Sequence, residues 1–276
     1  MDTPAMRSAG RIDDLVTGAG LVAGAANVIM QLGRPGVGHG VLESTVDSGN
    51  LFRRPWKRAR TTFTYLAVAT MGSEEEKRAY RRAVNRQHVH VRSGESSSVR
   101  YNAFDPQLQL WVAACLYKGF EDSYEALAGA SLSPGEREAV YAASAPLGTT
   151  LQVPPGKWPG SRDEFEEYWQ EGLRKVSVDE PVRELLLSVA VLDFLPAVLR
   201  IPFGRFNRFV TTGFLPATFR EQLGLRWSDE DQRRFDRVCR GVGAVALRLP
   251  RSARQFPLNA FLADLRRRMR KGRPLV

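Results

Sequence analysis

Apolar residues recur along this chain at the spacing of helices. The clearest stripe follows the order i, i+3, i+4, i+7, i+8 and consists of Leu108, Trp111, Val112, Cys115 and Leu116. This spacing predicts a helix that turns one face toward a core. Asp105 and Pro106 precede it as an N-cap acceptor and a first-turn proline. Trp111 is also a candidate for lining a cofactor pocket, although aromatic stripes usually belong to the core.

Other helix starts are marked by a serine with an acidic residue three positions later. This pattern, in which the hydroxyl and the carboxylate satisfy free backbone N–H groups of the first turn, begins at Ser73, Ser133, Ser161 and Ser228. No segment alternates apolar and polar residues as a strand would, and no internal repeat is present. The sequence therefore predicts an all-α fold, with around ten helices in one globular domain over residues 1–276.

Three apolar segments carry further expectations. Residues 15–32 are rich in Gly, Ala and Val, and we expect a buried helix there. Residues 182–199 form the most apolar long helix, which Pro196 should kink or end. The aromatic side chains that follow are expected to border a substrate cavity, and they are Phe203, Phe206 and Phe209.

The glycine-rich residues 33–50 are predicted to form an irregular functional loop, at the surface or over a pocket. They contain His39, Glu43, Ser44 and Asp47. His39 lies between two glycines, so we expect it to be exposed and not to act as a ligand.

Polar side chains share one face of the helix predicted before Gly72. Arg58, Thr62 and Tyr65 are spaced i, i+4, i+7, so a guanidinium, a hydroxyl and a phenol point the same way beside an apolar stretch. The next helix starts at Ser73 and should end near His88.

Two histidines stand close together at the end of that second helix. A neutral imidazole facing the polar strip could serve as an axial haem ligand or as a general base, whereas the simpler interpretation is that His88 caps the last carbonyls. On one helix, His88 and His90 cannot face the same pocket. In an extended chain they could, but the sequence has no cluster of further ligands that a zinc site requires.

Composition sets broader limits. The chain has 276 residues and a net charge of +10, with 40 basic residues interspersed among 30 acidic ones. The clearest basic cluster, within residues 266–276, is predicted to be a cationic last helical turn and a short tail. A solvated basic surface and a surface for an anionic membrane or polyanion both remain open. No segment is predicted to span a membrane, and the start lacks the order of a signal peptide, so we expect a cytoplasmic protein.

The cysteines and the absence of several sequence motifs limit the classes of enzyme that this chain can belong to. Cys115 and Cys239 are expected to be buried free thiols, with thiolate ligation to a haem as a minor alternative. The chain has no phosphate-binding glycine loop, no dinucleotide fingerprint and no serine nucleophile elbow. It also lacks a Cys-x-x-Cys-His sequence, so any haem would be bound without a covalent link.

In order and spacing, several of these residues resemble the rubber-oxygenase catalytic-domain family, which includes latex-clearing proteins and MpaB-like oxygenases. The resemblance is carried by Arg58, Thr62, Tyr65 and Gly72, then Val84, Asn85, His88, Val91 and Arg92, then Tyr101, Asp105, Pro106, Leu108 and Trp111. It implies an all-helical haem b protein in which His88 is the proximal ligand and Arg58 and Thr62 lie close to the haem. Tyr65, Arg92 and Trp111 are then further candidates for contact with the cofactor.

The resemblance also gives the segment around Glu43 a role. It implies that this segment approaches the distal side of the haem, with Glu43 as a candidate catalytic carboxylate; a helix cap is the simpler alternative. Latex-clearing proteins carry a lysine, which can cap the iron, where this chain has Thr61. A lysine-closed resting state is therefore not expected. Ala113 and Glu43 also stand where family members often have histidine. His88 therefore has fewer neighbouring histidines that could share the role of iron ligand.

Two functions follow. The first is a haem b-dependent oxygenase that acts with O2 on a hydrophobic, isoprenoid-like unsaturated substrate, with cleavage of a carbon–carbon double bond as a candidate reaction. The alternative is a non-catalytic, basic helical protein that binds an anionic membrane surface or nucleic acid. The first leaves room for peripheral membrane contact but predicts no nucleic-acid partner. The oligomeric state is not predicted.

Overall fold

The computed structural model of the chain describes residues 9–44, 46 and 51–276. Short 3-10 turns occupy Ile12–Asp14, Gly18–Ala23 and Pro155–Lys157. The first seven α-helices are α1 (Gly24–Leu32), α2 (Pro35–Leu42), α3 (Pro55–Met71), α4 (Glu74–His88), α5 (Pro106–Ala128), α6 (Pro134–Ala142) and α7 (Pro146–Thr149). The next seven are α8 (Arg162–Arg174), α9 (Glu180–Ala190), α10 (Ala197–Phe214), α11 (Ala217–Leu223), α12 (Asp229–Ala246), α13 (Arg251–Arg254) and α14 (Leu258–Arg270).

The all-α prediction is confirmed. Within the described ranges no strand forms, and an isolated bridge joins Arg92 to Asn102. The serine-based start signals are also confirmed, because the hydroxyls of Ser73, Ser133 and Ser228 each accept a hydrogen bond from the backbone three residues later. Asp105 caps α5 in the same manner.

Helix α5 passes through the centre of the fold. It packs against α1, α7 and α12, and its buried residues include Leu110, Trp111, Cys115 and Tyr117. Because apolar side chains occupy more than one of its faces, α5 loses most of its contact with water and organises the core around it. One large hydrophobic cluster includes buried residues from Ala9 to Leu265 in α14.

A buried carboxylate joins α5 to α6 and α8. Glu121 lies 2.9 Å from Lys118 and 3.0 Å from Arg162, and Arg137 is 3.7 Å away. Burial by itself would raise the pKa of Glu121, but Lys118 and Arg162 outweigh it and lower that pKa to about 2. The carboxylate is therefore charged and fully paired, as a buried charge must be.

Two of the expected elements differ from the structure. Residues 35–42 of the expected loop instead form α2. Its glycines, poor helix formers in isolation, allow close packing, because an added Cβ at Gly38 would lie 3.0 Å from Val182. Asp47 and Asn50 lie outside the described residues.

The apolar segment of residues 182–199 is also not one helix. Helix α9 ends at Ala190, well before Pro196, and Leu192 takes a positive φ of 59° in the turn that follows. Pro196 instead becomes the N-cap of α10. Residues 15–32 likewise divide into a 3-10 turn and α1. Local hydrophobicity predicted burial but did not show where the chain turns.

Candidate functional site

A cavity of about 260 Å³ lies between α3 and α4 and is closed by α2 and the start of α5. Two helical stripes face it. Helix α3 contributes Arg58, Thr61, Thr62 and Tyr65, and α4 contributes Tyr80, Val84, Gln87 and His88. The α3–α4 turn at Gly72 and the capping box at Ser73 fold the two stripes toward each other. The predicted common face of Arg58, Thr62 and Tyr65 is thus confirmed.

The remaining walls are mainly apolar. They include Val37, Val41, Leu108, Val112, Leu116 and Leu151. Gly36 and Gly40 let α2 come close to its neighbours, because an added Cβ at Gly36 would lie 2.9 Å from Leu108 and one at Gly40 would lie 3.4 Å from the ring of Tyr101. A cavity of this kind suits a hydrophobic ligand that is oriented by a few polar groups.

His88 is the last residue of α4 and lines the cavity. Its Nδ1 is buried and has no hydrogen-bond partner among the described residues. The ring lies edge-on to Phe104, with 6.2 Å between centroids. Burial, and then the positive charge of Arg58, lowers the pKa of His88 to about 4. The imidazole is therefore neutral near pH 7, as a metal ligand must be.

Arg58 and Tyr65 differ in whether their polar groups already have a partner. Arg58 has no ion-pair partner in the described part of the chain, and burial lowers the pKa of its guanidinium, which still remains charged. The Tyr65 hydroxyl donates a hydrogen bond to the carbonyl of Leu147, and burial raises its pKa above the ordinary range. Arg58 can therefore bind an anion, whereas Tyr65 mainly contributes its ring to the cavity lining.

Tyr80 fixes the second stripe against the first. Its hydroxyl donates a 2.7 Å hydrogen bond to the carbonyl of Thr61. The Thr61 side chain in turn donates to the carbonyl of Lys57, at 3.0 Å. The bond from Tyr80 holds α4 beside α3. Thr62 lines the cavity, and its side chain makes no hydrogen bond to another described residue.

Three other predicted site residues lie outside the cavity lining. His90 is exposed in the turn after α4, so the structure separates it from His88. Arg92 is exposed as well. Trp111 is fully buried in the core, stacked on Trp169 with 5.1 Å between ring centroids. Its indole N–H donates to the carbonyl of Met30 at 3.1 Å.

The expectation that His39 is exposed is wrong. Its side chain is buried, with Nδ1 3.0 Å from Glu43 and Nε2 2.8 Å from Asp179. Burial by itself would lower the pKa of His39, but the hydrogen bonds to Glu43 and Asp179 outweigh it and raise that pKa. The reason for the burial is tertiary: α2 packs against α9, whose N-cap is Asp179.

Glu43 belongs to this polar cluster and is not among the cavity-lining residues. Its carboxylate accepts hydrogen bonds from Ser97 at 2.5 Å and Tyr101 at 3.0 Å. The bond from Ser97, followed by those of His39 and Tyr101, lowers the pKa of Glu43. Since the ring of Tyr101 lines the cavity, Glu43 reaches the cavity through Tyr101.

A haem would need fewer protein ligands here than a free metal ion would. No group of three or more His, Cys, Asp or Glu side chains suited to a metal occurs within the described ranges. A haem iron needs only one protein ligand, because the porphyrin supplies four. Among the described residues of the cavity wall, the histidine is His88, and its Nδ1 has no hydrogen-bond partner. Cys115 and Cys239 are buried free thiols as predicted, and neither lines the cavity.

Some cavity residues were not predicted from the sequence. Tyr80, Val84 and Gln87 continue the stripe of His88 at helical spacing, so that periodicity could have revealed them. Gln109 had no such signal. Its amide donates 2.9 Å to Gln152 and 2.6 Å to the carbonyl of Ala103, and these partners come together only in the folded chain.

The chain is similar to known proteins over most of its length. Residues 15–244 match the family described as "ER-bound oxygenase mpaB/B'/Rubber oxygenase, catalytic domain". Two relatives, an uncharacterized protein of Mycobacterium bovis and one of Mycobacterium tuberculosis, are each 52% identical over 252 residues, which covers 91% of this chain and 98% of theirs. No solved structure matches the chain.

Proposed function

The chain belongs to the family of mpaB and rubber-oxygenase catalytic domains, and we propose that it is a haem b-dependent oxygenase of a hydrophobic unsaturated substrate. The family supports an oxygenase in general. The observation that supports haem is His88, a neutral histidine with an unpartnered ring nitrogen on the wall of an apolar cavity.

In this proposal His88 would hold the iron. When bound, a haem b would supply the redox chemistry with O2 that no side chain of the cavity can supply. The chain itself provides a neutral ligand, because burial keeps the proton off His88. It also provides a dry apolar wall, which excludes water and accepts an isoprenoid-like substrate.

Arg58 and Thr62 would orient polar groups inside the cavity. Arg58 has no acidic partner among the described residues, so its guanidinium is available for a carboxylate or for negative charge that develops during the reaction. Thr62 presents a hydroxyl one helical turn later. Together they add a charge and a hydroxyl to the polar part of a mainly apolar lining.

Glu43 receives a positioning role in this proposal. Its carboxylate holds the hydroxyl of Tyr101, whose ring forms part of the cavity wall. The proton-accepting role expected from the sequence stays a prediction. Cleavage of a double bond is likewise the proposed outcome for an isoprenoid-like substrate, and it rests on the family resemblance.

The non-catalytic alternative has less support. The matching family is one of catalytic domains, and part of the basic C-terminal cluster is paired. Arg266 lies 2.7 Å from Glu76, and Arg268 lies 2.8 Å from Asp264. The described helices include none long and apolar enough to cross a membrane.

A visible absorption spectrum of the purified protein, with and without added haemin, tests the proposal. A Soret band that His88→Ala removes or shifts and His90→Ala retains is expected. Uptake of O2 should then rise on addition of squalene, used as an isoprenoid probe, and carbonyl products should form. A protein that takes up no haem, or a band that survives His88→Ala unchanged, would overturn the assignment of His88.

A further inference from the structure

The first half of α10 carries large apolar side chains that no described part of the chain covers. Val198 and Ile201 are 77% and 73% exposed, and Phe203 and Phe206 are 55% and 48% exposed. Singly exposed apolar residues are ordinary, but several on consecutive turns of one helix indicate an interaction surface. The expectation that these phenylalanines border the substrate cavity is wrong, since they lie outside its lining.

Three of these four exposed residues share one side of the helix, whereas Phe203 lies about 60° beyond them. At about 100° per residue, Val198, Ile201 and Phe206 fall within an arc of roughly 140°. We call these three residues the α10 face. Arg205 falls inside the same arc, and Arg208 falls at its edge. Apolar tips with arginines beside them are typical of a helix that lies in a membrane interface, where the long cationic side chains extend to the lipid headgroups.

An arginine-rich depression continues the α10 face toward the end of the helix. Its volume is about 250 Å³, and its cationic residues are Arg205, Arg208 and Arg226, which we call the arginine triad. No ion pair neutralises the triad within the described part of the chain. The floor is aromatic, with Phe209 and Trp227 at 5.3 Å between ring centroids.

The acidic residue in this depression, Asp231, carries one negative charge against the three positive charges of the triad. The carboxylate of Asp231 accepts hydrogen bonds from the backbone N–H and the hydroxyl of Ser228, at 3.0 and 2.7 Å. It therefore serves as part of the helix cap of α12. Helix α10 itself contains no acidic residue, so the surface has a net positive charge.

We propose that the α10 face and the arginine triad form a docking surface for an anionic phospholipid bilayer. The α10 face enters the interfacial region of the bilayer, and the triad binds lipid phosphates. Charge complementarity selects this occupant, because a row of uncompensated arginines beside exposed aliphatic tips matches anionic headgroups above acyl chains. The surface lies on α10 and not on the basic C-terminal segment. It does not depend on the proposed cofactor.

Cosedimentation of the full chain with vesicles tests this proposal. We expect binding to vesicles of phosphatidylcholine with phosphatidylglycerol, at least about tenfold tighter than to phosphatidylcholine alone, and weaker at high salt. Arg205→Gln with Arg208→Gln should weaken binding by about fivefold for each arginine removed. Substituting lysine for both arginines should preserve most of the binding.

The apolar half of the surface has its own variant and control. Ile201→Asp should abolish binding, because it places a carboxylate in the interface. Val245→Asp, on α12, makes the same change at a residue that is 67% exposed and should bind like the wild type. Both positions are exposed, so circular dichroism should show an unchanged fold.

Several outcomes would overturn the proposal. These are no binding by the wild type, equal binding to both kinds of vesicle, and equal loss in the two aspartate variants. Light scattering, which measures the molecular mass in solution, supplies a further outcome that would overturn it. If the wild type is a dimer that Ile201→Asp separates, and vesicles bind neither form, then a second copy of the chain covers the α10 face instead.

Discussion

Arg58 on α3 and His88 on α4 line the same cavity, and the positive charge of Arg58 adds to burial in lowering the pKa of His88. The two side chains thus support each other's proposed roles. A cation beside the imidazole disfavours its protonation, and the neutral imidazole leaves the guanidinium as the cationic group that can bind an anion.

Replacement of Arg58 should weaken the affinity for haem without changing the iron ligand. In Arg58→Met, haemin binding should weaken roughly ten- to hundredfold, because a charge-assisted hydrogen bond contributes about 1.5–3 kcal/mol. The Soret maximum should stay in place, since His88 is unchanged. Titration with haemin measures both. Arg60→Met, on the same helix but outside the cavity lining, is the matched control, and equal weakening in the two variants would contradict a role for Arg58.

In the proposed haem complex, the absence of a lysine at position 61 should leave one side of the iron accessible. Added imidazole should bind the ferric wild type and shift its spectrum. In Thr61→Lys, an ammonium group enters the cavity wall, and imidazole binding should weaken by about tenfold or more. Thr61→Met adds similar length without the amine. If Thr61→Met excludes imidazole equally well, bulk and not ligation by lysine is responsible.

His39 should make stability depend on pH with a specific sign. Its pKa is raised in the folded protein, so the stabilisation from the charged imidazole is complete below the unfolded value near 6.5 and is lost as pH rises through the folded value. His39→Gln should therefore cost roughly 1–3 kcal/mol in slightly acidic buffer. The difference from the wild type should shrink in alkaline buffer.

Urea denaturation at a series of pH values measures this effect. Its control is His90→Gln, which changes an exposed histidine and should leave the pH dependence as it is. A constant difference between wild type and His39→Gln at all pH values would show that His39 acts by packing alone.

The crossing of α5 and α12 should tolerate no side chain at Gly243. An added Cβ there would overlap the backbone carbonyl of Leu127, which cannot move aside as a side chain can. Gly243→Ala should lower the free energy of unfolding by about 2 kcal/mol or more. Gly241→Ala, two residues earlier, meets nothing within 4 Å and should raise it by up to about 1 kcal/mol. Chemical denaturation of both variants measures these changes. A Gly243→Ala variant as stable as the wild type would contradict the close contact between α12 and α5.

Local rules predicted much of the fold and part of the site. A serine and an acid three residues apart can cap a helix because the partners lie within one turn, and α4, α6 and α12 begin that way. The common face of Arg58, Thr62 and Tyr65 followed from the helical period alone. The resemblance of ordered motifs identified the family that the comparison confirmed.

The sequence by itself therefore determined the all-α class, the starts of five helices and the polar strip of α3, because these depend on neighbours within a few residues. Only the tertiary structure decided that His39 is buried against Asp179, 140 residues away, and that Glu43 binds Ser97 and Tyr101. It also decided that Trp111 belongs to the core and that α10 leaves its apolar side uncovered. Burial and pairing of this kind depend on which helices pack together. The spacing of residues within one segment does not specify contacts between segments that are far apart in the sequence.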